Sequence, residues 1–141
     1  MKLRHDWRPL LRVCAAVTAL AFSGQAAAQA ANYPAKAIRI IVPFAPGGPN
    51  DLLGRIVGQK LNELWGRPAV IENRGGAGGT IGVDAGAKSA PDGYTLVIGG
   101  SSNLAVAPGL YAKLAYDPLR DLTPITNVAI VPYVLTINPH V

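Results

Sequence analysis

Ile38-Arg39-Ile40-Ile41-Val42 runs directly into Pro43-Phe44-Ala45-Pro46-Gly47-Gly48-Pro49-Asn50-Asp51. The first five residues are β-branched and, Arg39 apart, apolar, and they stop at a proline. An unbroken run this short fits a strand covered on both faces better than an alternating surface strand. The glycine- and proline-rich segment after it is a sharp turn. Leu52, Leu53, Ile56, Val57, Leu61, Leu64 and Trp65 then recur at helical spacing. Pro49 and Asp51 suit the first turn of that helix, and Gly66 with Pro68 stops it.

The same unit recurs twice downstream. Ala69–Asn73 is predicted as a second strand, Arg74–Thr80 as a glycine turn, and Ile81–Ala90 as a helix ended by Pro91-Asp92-Gly93. Tyr94–Ile98 follows as a third strand, then Gly99-Gly100-Ser101-Ser102-Asn103 and a short helical stretch, Leu104–Tyr111. Strands alternating with helices predict an α/β fold, a parallel sheet flanked by helices with right-handed crossovers. Further on, Tyr116-Asp117-Pro118 reads as a turn, 122–131 as an extended segment broken by Pro124, and Tyr133–Ile137 as another strand. The sequence then ends at Val141 with no terminal helix, which reads as unfinished.

With 141 residues, 50% of them hydrophobic and only 15% charged, the chain has material for one ordinary domain. Its 16 glycines and 12 prolines follow no fixed period, which excludes collagen, and the low charge excludes a disordered tail. The formal net charge of +5 belongs mostly to the start of the chain. Lys2, Arg4, Arg8 and Arg12 stand against Asp6, an apolar stretch runs from Val13 to Phe22, and small residues lead to Ala28-Gln29-Ala30.

A basic start, a short apolar centre and an A-x-A end predict a secretory signal peptide over 1–30, cleaved after Ala30. The apolar centre is about half the roughly 20 residues of a membrane anchor, so no stable anchor is expected after cleavage. Residues 31–141 keep nine basic and seven acidic side chains, a net charge of +2. Nucleic-acid binding thereby loses its main support. Cys14 leaves with the leader and His140 is the one histidine that remains, so no metal centre, cofactor site or disulfide is expected.

In an open parallel sheet, the turns at the carboxyl ends of the strands form the usual ligand crevice. Here each turn delivers the chain into a helix start, where free N–H groups and the helix dipole favour an anion. Three such turns on one edge could grip a carboxylate or phosphate without a lysine; the plainer alternative is that the glycines only permit tight turns. Nucleotide motifs fail: Ile81 stands where G-x-G-x-x-G needs its last glycine, and Ala87 where a P-loop needs its second. Gly99–Asn103 approximates a nucleophile elbow and leaves a secreted serine hydrolase using Ser101 as an alternative, although Asn103 replaces the final glycine and His140 is the only downstream histidine. Ser101 and Ser102 otherwise read as hydroxyl donors to a ligand or as helix caps.

Several of these segments together resemble the Bug-type solute-binding receptors of tripartite tricarboxylate transporter systems. They are Tyr33-Pro34, Ile41–Gly48 with Asp51, Glu72-Asn73-Arg74 leading into Gly76–Gly79, and Ala90–Leu96. Leu110-Tyr111 and Tyr116-Asp117-Pro118 with Arg120-Asp121 complete the series in the family's order, covering nearly all of residues 33–139. The resemblance implies a hinged, two-lobed fold of the periplasmic binding protein type II class, of which 31–130 would be the amino-terminal lobe. Residues 131–141 would begin the hinge crossing to a second lobe that the sequence does not contain. It implies a periplasmic receptor for a small organic carboxylate, no enzymatic chemistry, and membrane subunits of a transporter as partners.

Carried over to this chain, the ligand-binding residues are Phe44, Ala45, Pro46, Gly47, Gly48, Asn50 and Asp51, gripping through backbone amides. Ala77, Gly78 and Gly79, and Ser101, Ser102 and Asn103, would line neighbouring walls. Asp51 either orders the first turn through backbone hydrogen bonds, the preferred reading, or receives a ligand amine. The chain departs from the family pattern at Pro49 and Asn50, where a small residue and a threonine or serine are usual, so one backbone donor and one hydroxyl are lost and a side-chain amide is gained. It also departs in length, since the family runs to about twice this size, as two lobes require. A truncated, non-functional remnant of such a receptor is the further alternative.

Overall fold

The computed structural model describes residues 33–130, 132 and 134–138. The predicted signal peptide and part of the predicted hinge crossing lie outside them. By internal packing the chain divides into Met1–Ala35 and Lys36–Val141, and the fold below is that of the second unit.

Three parallel strands, β1 (Ile38–Val42), β2 (Ala69–Asn73) and β3 (Thr95–Val97), form one sheet in the order β2-β1-β3. Ile38 lies opposite Ala69 and Val42 opposite Asn73, while Arg39 and Ile41 lie opposite Thr95 and Val97. Helix α1 (Pro49–Trp65) connects β1 to β2. A 3₁₀ turn (Ala77–Gly79) and helix α2 (Thr80–Ala87) connect β2 to β3. Beyond β3 come a π-helical turn (Ser102–Val106) and a single turn of helix, α3 (Ala107–Leu110).

The central position of β1 explains its sequence. Ile38, Ile40, Ile41 and Val42 are buried, because β1, alone among the described strands, has a partner on each side and a helix on each face. Alternate side chains separate the two faces. Ile38, Ile40 and Val42 join Ile98, with Val57, Leu61, Ala69, Ile71 and Leu96 packed against them, on the α1 side. Ile41 and Arg39 belong to the other face, toward α2. Arg39 is accommodated because one of its terminal nitrogens (Nη2) donates to the Ser89 hydroxyl at 2.7 Å and to the Thr95 hydroxyl at 3.3 Å, and the other (Nη1) meets Glu72 at 3.5 Å.

Both helices meet the sheet through glycine. The buried positions of α1 are Asp51, Gly54 and Gly58. A β-carbon on Gly54 would lie 2.7 Å from Val42 Cγ2, and one on Gly58 would lie 3.0 Å from Ile71 Cδ1. On α2, β-carbons on Gly82 and Gly86 would fall 2.6 Å from Pro43 Cα and 2.2 Å from Val97 Cγ2. The face of α1 is therefore not the predicted apolar stripe. Leu53, Val57 and Leu61 flank the contact, while Leu52, Ile56, Leu64 and Trp65 are exposed.

The strands otherwise fall where the sequence predicts them, with β3 shorter at both ends. The predicted helices shift: α2 stops at Ala87 rather than Ala90, and the predicted Leu104–Tyr111 helix is split into the π-helical turn and α3. No strand forms in 122–130 or 134–138. A β-branched run needs a partner strand to become a ladder, and β3 pairs only with β1 among the described strands.

Candidate functional site

Because the strands are parallel and adjacent, their carboxyl ends bring three loops to one edge. Loop 1 is 43–48 with the start of α1, loop 2 is 74–79, and loop 3 is 99–103. Their contacts are close. Asn73 Nδ2 donates to the Phe44 carbonyl at 3.2 Å. A β-carbon on Gly75 would lie 3.3 Å from Ala45 N, and one on Gly79 would meet Asn103 Nδ2, the Pro43 carbonyl and the Phe44 ring. Gly79 is buried with φ +93°, so only glycine fits both its conformation and its surroundings.

All the predicted site residues lie in or beside these loops. Ala45, Pro46, Gly47, Ala77, Gly78, Ser101 and Ser102 are exposed, Phe44, Gly48 and Asn50 are half-buried, and Asp51, Gly79 and Asn103 are buried. The amino end of α1 faces this edge without a side-chain cap, since Gly48 holds the cap position and Pro49 has no N–H. The first rung of its ladder is Leu52 N–H to the Gly48 carbonyl, 3.0 Å. The N–H groups of Asn50 and Asp51 precede that rung, so the helix itself provides them no acceptor and their partial positive charge is directed at the loops.

Asp51 lies within the wall of this site. One of its oxygens (Oδ2) accepts from the Gly47 N–H and from Arg55 Nε, each at 2.9 Å, and the other (Oδ1) accepts from Asn73 Nδ2 at 3.0 Å. These bonds to Arg55, Gly47 and Asn73 lower its carboxyl from 3.8 to about 2. Its geometry is that of a residue ordering the first turn. It also commits the Gly47 amide, which therefore faces Asp51 rather than open space. Arg55 and Asn73 are absent from the sequence-based site. Asn73 stands at the end of β2, and its contacts to Phe44 and Asp51 form only where loops 1 and 2 meet.

Ser101 has ordinary right-handed helical angles, φ −56° and ψ −37°, not the strained geometry of a nucleophile elbow. Among the described residues no three histidine, cysteine, aspartate or glutamate side chains converge as metal ligands, and no described helix is long and apolar enough to cross a membrane. A pocket of about 320 Å³ lies to one side, between α2 and residues 111–116, and shares only Ala77 with the three loops.

Residues 53–141 match the family described as "Tripartite tricarboxylate transporter family receptor". The chain belongs to this family. Among curated TctC relatives, it is 48% identical to Protein BugT of Bordetella pertussis over 122 residues, 85% of this chain and 37% of BugT. It spans well under half the length of the curated relatives it matches. Among solved structures, it overlays the periplasmic binding protein BugD with a TM-score of 0.57 at 36% identity, over 63% of this chain and 29% of that one. It overlays MatC of Rhodopseudomonas palustris, solved with bound malate, with a TM-score of 0.62 at 41% identity, over 65% and 31%. The R. palustris protein Rpa4515, solved with adipate, gives 0.53 at 35% identity over 62% and 29%. The fold is thus that of the TctC and Bug periplasmic binding proteins. The family is described as one of receptors, which speaks against the serine hydrolase alternative.

Proposed function

We propose that this protein is an extracytoplasmic receptor that captures a small organic carboxylate for a tripartite tricarboxylate-type uptake system and performs no chemistry on it. The observation that carries this reading is the uncapped amino end of α1, set among three interlocked loops at the carboxyl edge of the sheet. An anion there gains the helix's first-turn amides and its dipole. Asp51, the acidic side chain in its first turn, is paired with Arg55 and bonded at both oxygens, so it repels the ligand little. Phe44, Ala45, Pro46, Gly47, Gly48, Asn50 and Asp51 form the first wall; Ala77–Gly79 and Ser101–Asn103 form the others. Malate and adipate in two overlaid TctC-type structures support a dicarboxylate as the ligand class.

The leader over 1–30 routes the chain to the periplasm, where it would meet the membrane subunits of the transporter. Titration of the purified full chain with L-malate, adipate and citrate tests the reading. Binding of at least one is expected, with a melting temperature that rises with its concentration; a ligand at 100 times its Kd stabilises by about 2.7 kcal/mol. No heat and no shift across a broad carboxylate panel would sink it.

A further inference from the structure

We infer that Tyr116 is a positioning residue for loop 3, holding it in place through the backbone of Asn103. The assignment rests on the receptor reading above and extends its site beyond the three loops. Tyr116 is 4% exposed, and its hydroxyl donates to the Asn103 carbonyl. Asn103 is fully buried, and its side-chain oxygen accepts the Gly100 N–H at 2.9 Å, which closes loop 3 around the exposed Ser101 and Ser102. One hydroxyl therefore anchors the residue that shapes the whole turn.

The local helix explains why that hydroxyl is needed. In a regular α-helix the Asn103 carbonyl would accept from the N–H of residue 107. Here the Ala107 N–H is drawn to the Ser102 carbonyl instead, five residues back, in the π-helical turn. In a continuing π-turn the donor for Asn103 would be residue 108, which is Pro108 and has no N–H. The Asn103 carbonyl has thus lost both helical donors, and it is buried, where an unmade bond is costly. The Tyr116 hydroxyl takes their place. Burial, with smaller contributions from the charge of Asp84 and from Tyr111, raises the Tyr116 hydroxyl above its usual range, so it keeps its proton and remains a donor. On its other side Asn103 packs at Gly79 with Nδ2 making no hydrogen bond, so a displaced Asn103 would also disturb the junction of loops 1 and 2.

Tyr116→Phe keeps the ring and deletes the donor. With the full chain, at a temperature where both proteins are folded, two readouts apply: the Kd for L-malate or adipate, whichever the unaltered protein binds, and hydrogen exchange of the Gly100 amide. Loss of one buried hydrogen bond predicts a Kd weakened about tenfold and Gly100 exchange faster by a similar factor. A lower melting temperature with unchanged Kd and unchanged Gly100 protection would mean a merely structural role and overturn the assignment. Pro108→Ala returns an N–H five residues after Asn103, so the double variant should recover part of both losses, which a packing defect would not. Should Tyr116→Phe fail to fold, recovery of fold and binding in the double variant supports the assignment, and failure of both overturns it. If the unaltered protein binds no member of a broad carboxylate panel, the receptor reading fails. The Gly100 exchange arm needs no ligand and then decides by itself whether Tyr116 holds the loop.

Discussion

At the scale of single residues, Asp51 is a charged side chain that orders the proposed anion site without opposing it. Its carboxylate satisfies an N–H from its own loop, a guanidinium one turn along α1 and an amide from the end of β2, so it ties loop 1 to loop 2. Asp51→Asn keeps the shape but sets a second NH₂ group against donors that need an acceptor. Carboxylate binding should weaken, and the melting temperature should fall at neutral pH. The pH dependence follows from the direction of the shift. The folded carboxyl titrates near 2, below its ordinary 3.8, so its contribution to stability is present above pH 3.8 and is lost as pH falls through 2. Melting temperatures of the two proteins should therefore differ most above pH 4 and converge toward pH 2. Glu63, Asp92 and Asp121 are also held below their ordinary values, but they titrate in both proteins and cancel in the difference. A gap that stays constant across this range would show that Asp51 is not the group responsible.

At the scale of elements, the helices approach the sheet where glycine leaves room, and the neighbours of each glycine set the cost of filling that room. Gly58→Ala would press chiefly on Ile71 Cδ1, the flexible end of a side chain, with Ala69 Cβ and Ile40 Cδ1 at 3.4 and 3.5 Å, while Ala gains about 1 kcal/mol of helix propensity over Gly; a stability change near zero or slightly positive is expected. Gly54→Ala meets Val42 Cγ2 on a buried, stiff β-branched residue and should cost about 1–2 kcal/mol. Gly82→Ala meets backbone on two sides, the Arg74 carbonyl at 2.5 Å and Pro43 Cα at 2.6 Å, and should cost about 3 kcal/mol or prevent folding. Denaturant unfolding of the three variants should return that order, and equal losses would contradict the packing described here. These glycines also mark what the sequence hides. β1 and β2 are legible because β-branched runs bounded by Pro and Gly have few other outcomes, and the three loops follow from parallel topology. The contact face of α1 is not legible, because periodicity counts side chains and this face is defined by their absence. Leu52, Ile56 and Leu64 satisfy the period yet point to solvent. Arg55 and Asn73 were missed for a related reason, since their role depends on two loops meeting rather than on any local pattern. Residues 134–137 of the predicted 133–137 strand have no partner among the described strands, which no stretch of their own sequence could reveal.

At the scale of the whole molecule, surface composition carries its own consequence. Leu119, Leu135 and Ile130 are 95%, 94% and 85% exposed, and Ile125, Val134, Ile137 and Leu64 are each more than three-quarters exposed. In addition, β2 and β3 each present an unpaired edge among the described strands. Exposed apolar side chains in this number, together with open strand edges, are features that water disfavours and other chains can cover. The charge that keeps copies apart is small: residues 1–30 carry three of the five net positive charges, and +2 remains over residues 31–141. Protein lacking its first 30 residues should therefore associate with itself as concentration rises. Sedimentation velocity should show a weight-average mass climbing through the micromolar range, and a dye that brightens on apolar surface should respond at the lowest concentration. Added salt should strengthen association by screening what repulsion there is, since the attraction is apolar. A protein that stays monomeric and leaves the dye dark would mean that these apolar side chains pack against the rest of the chain in solution, and a ladder of protected amides within 119–130 would then identify where.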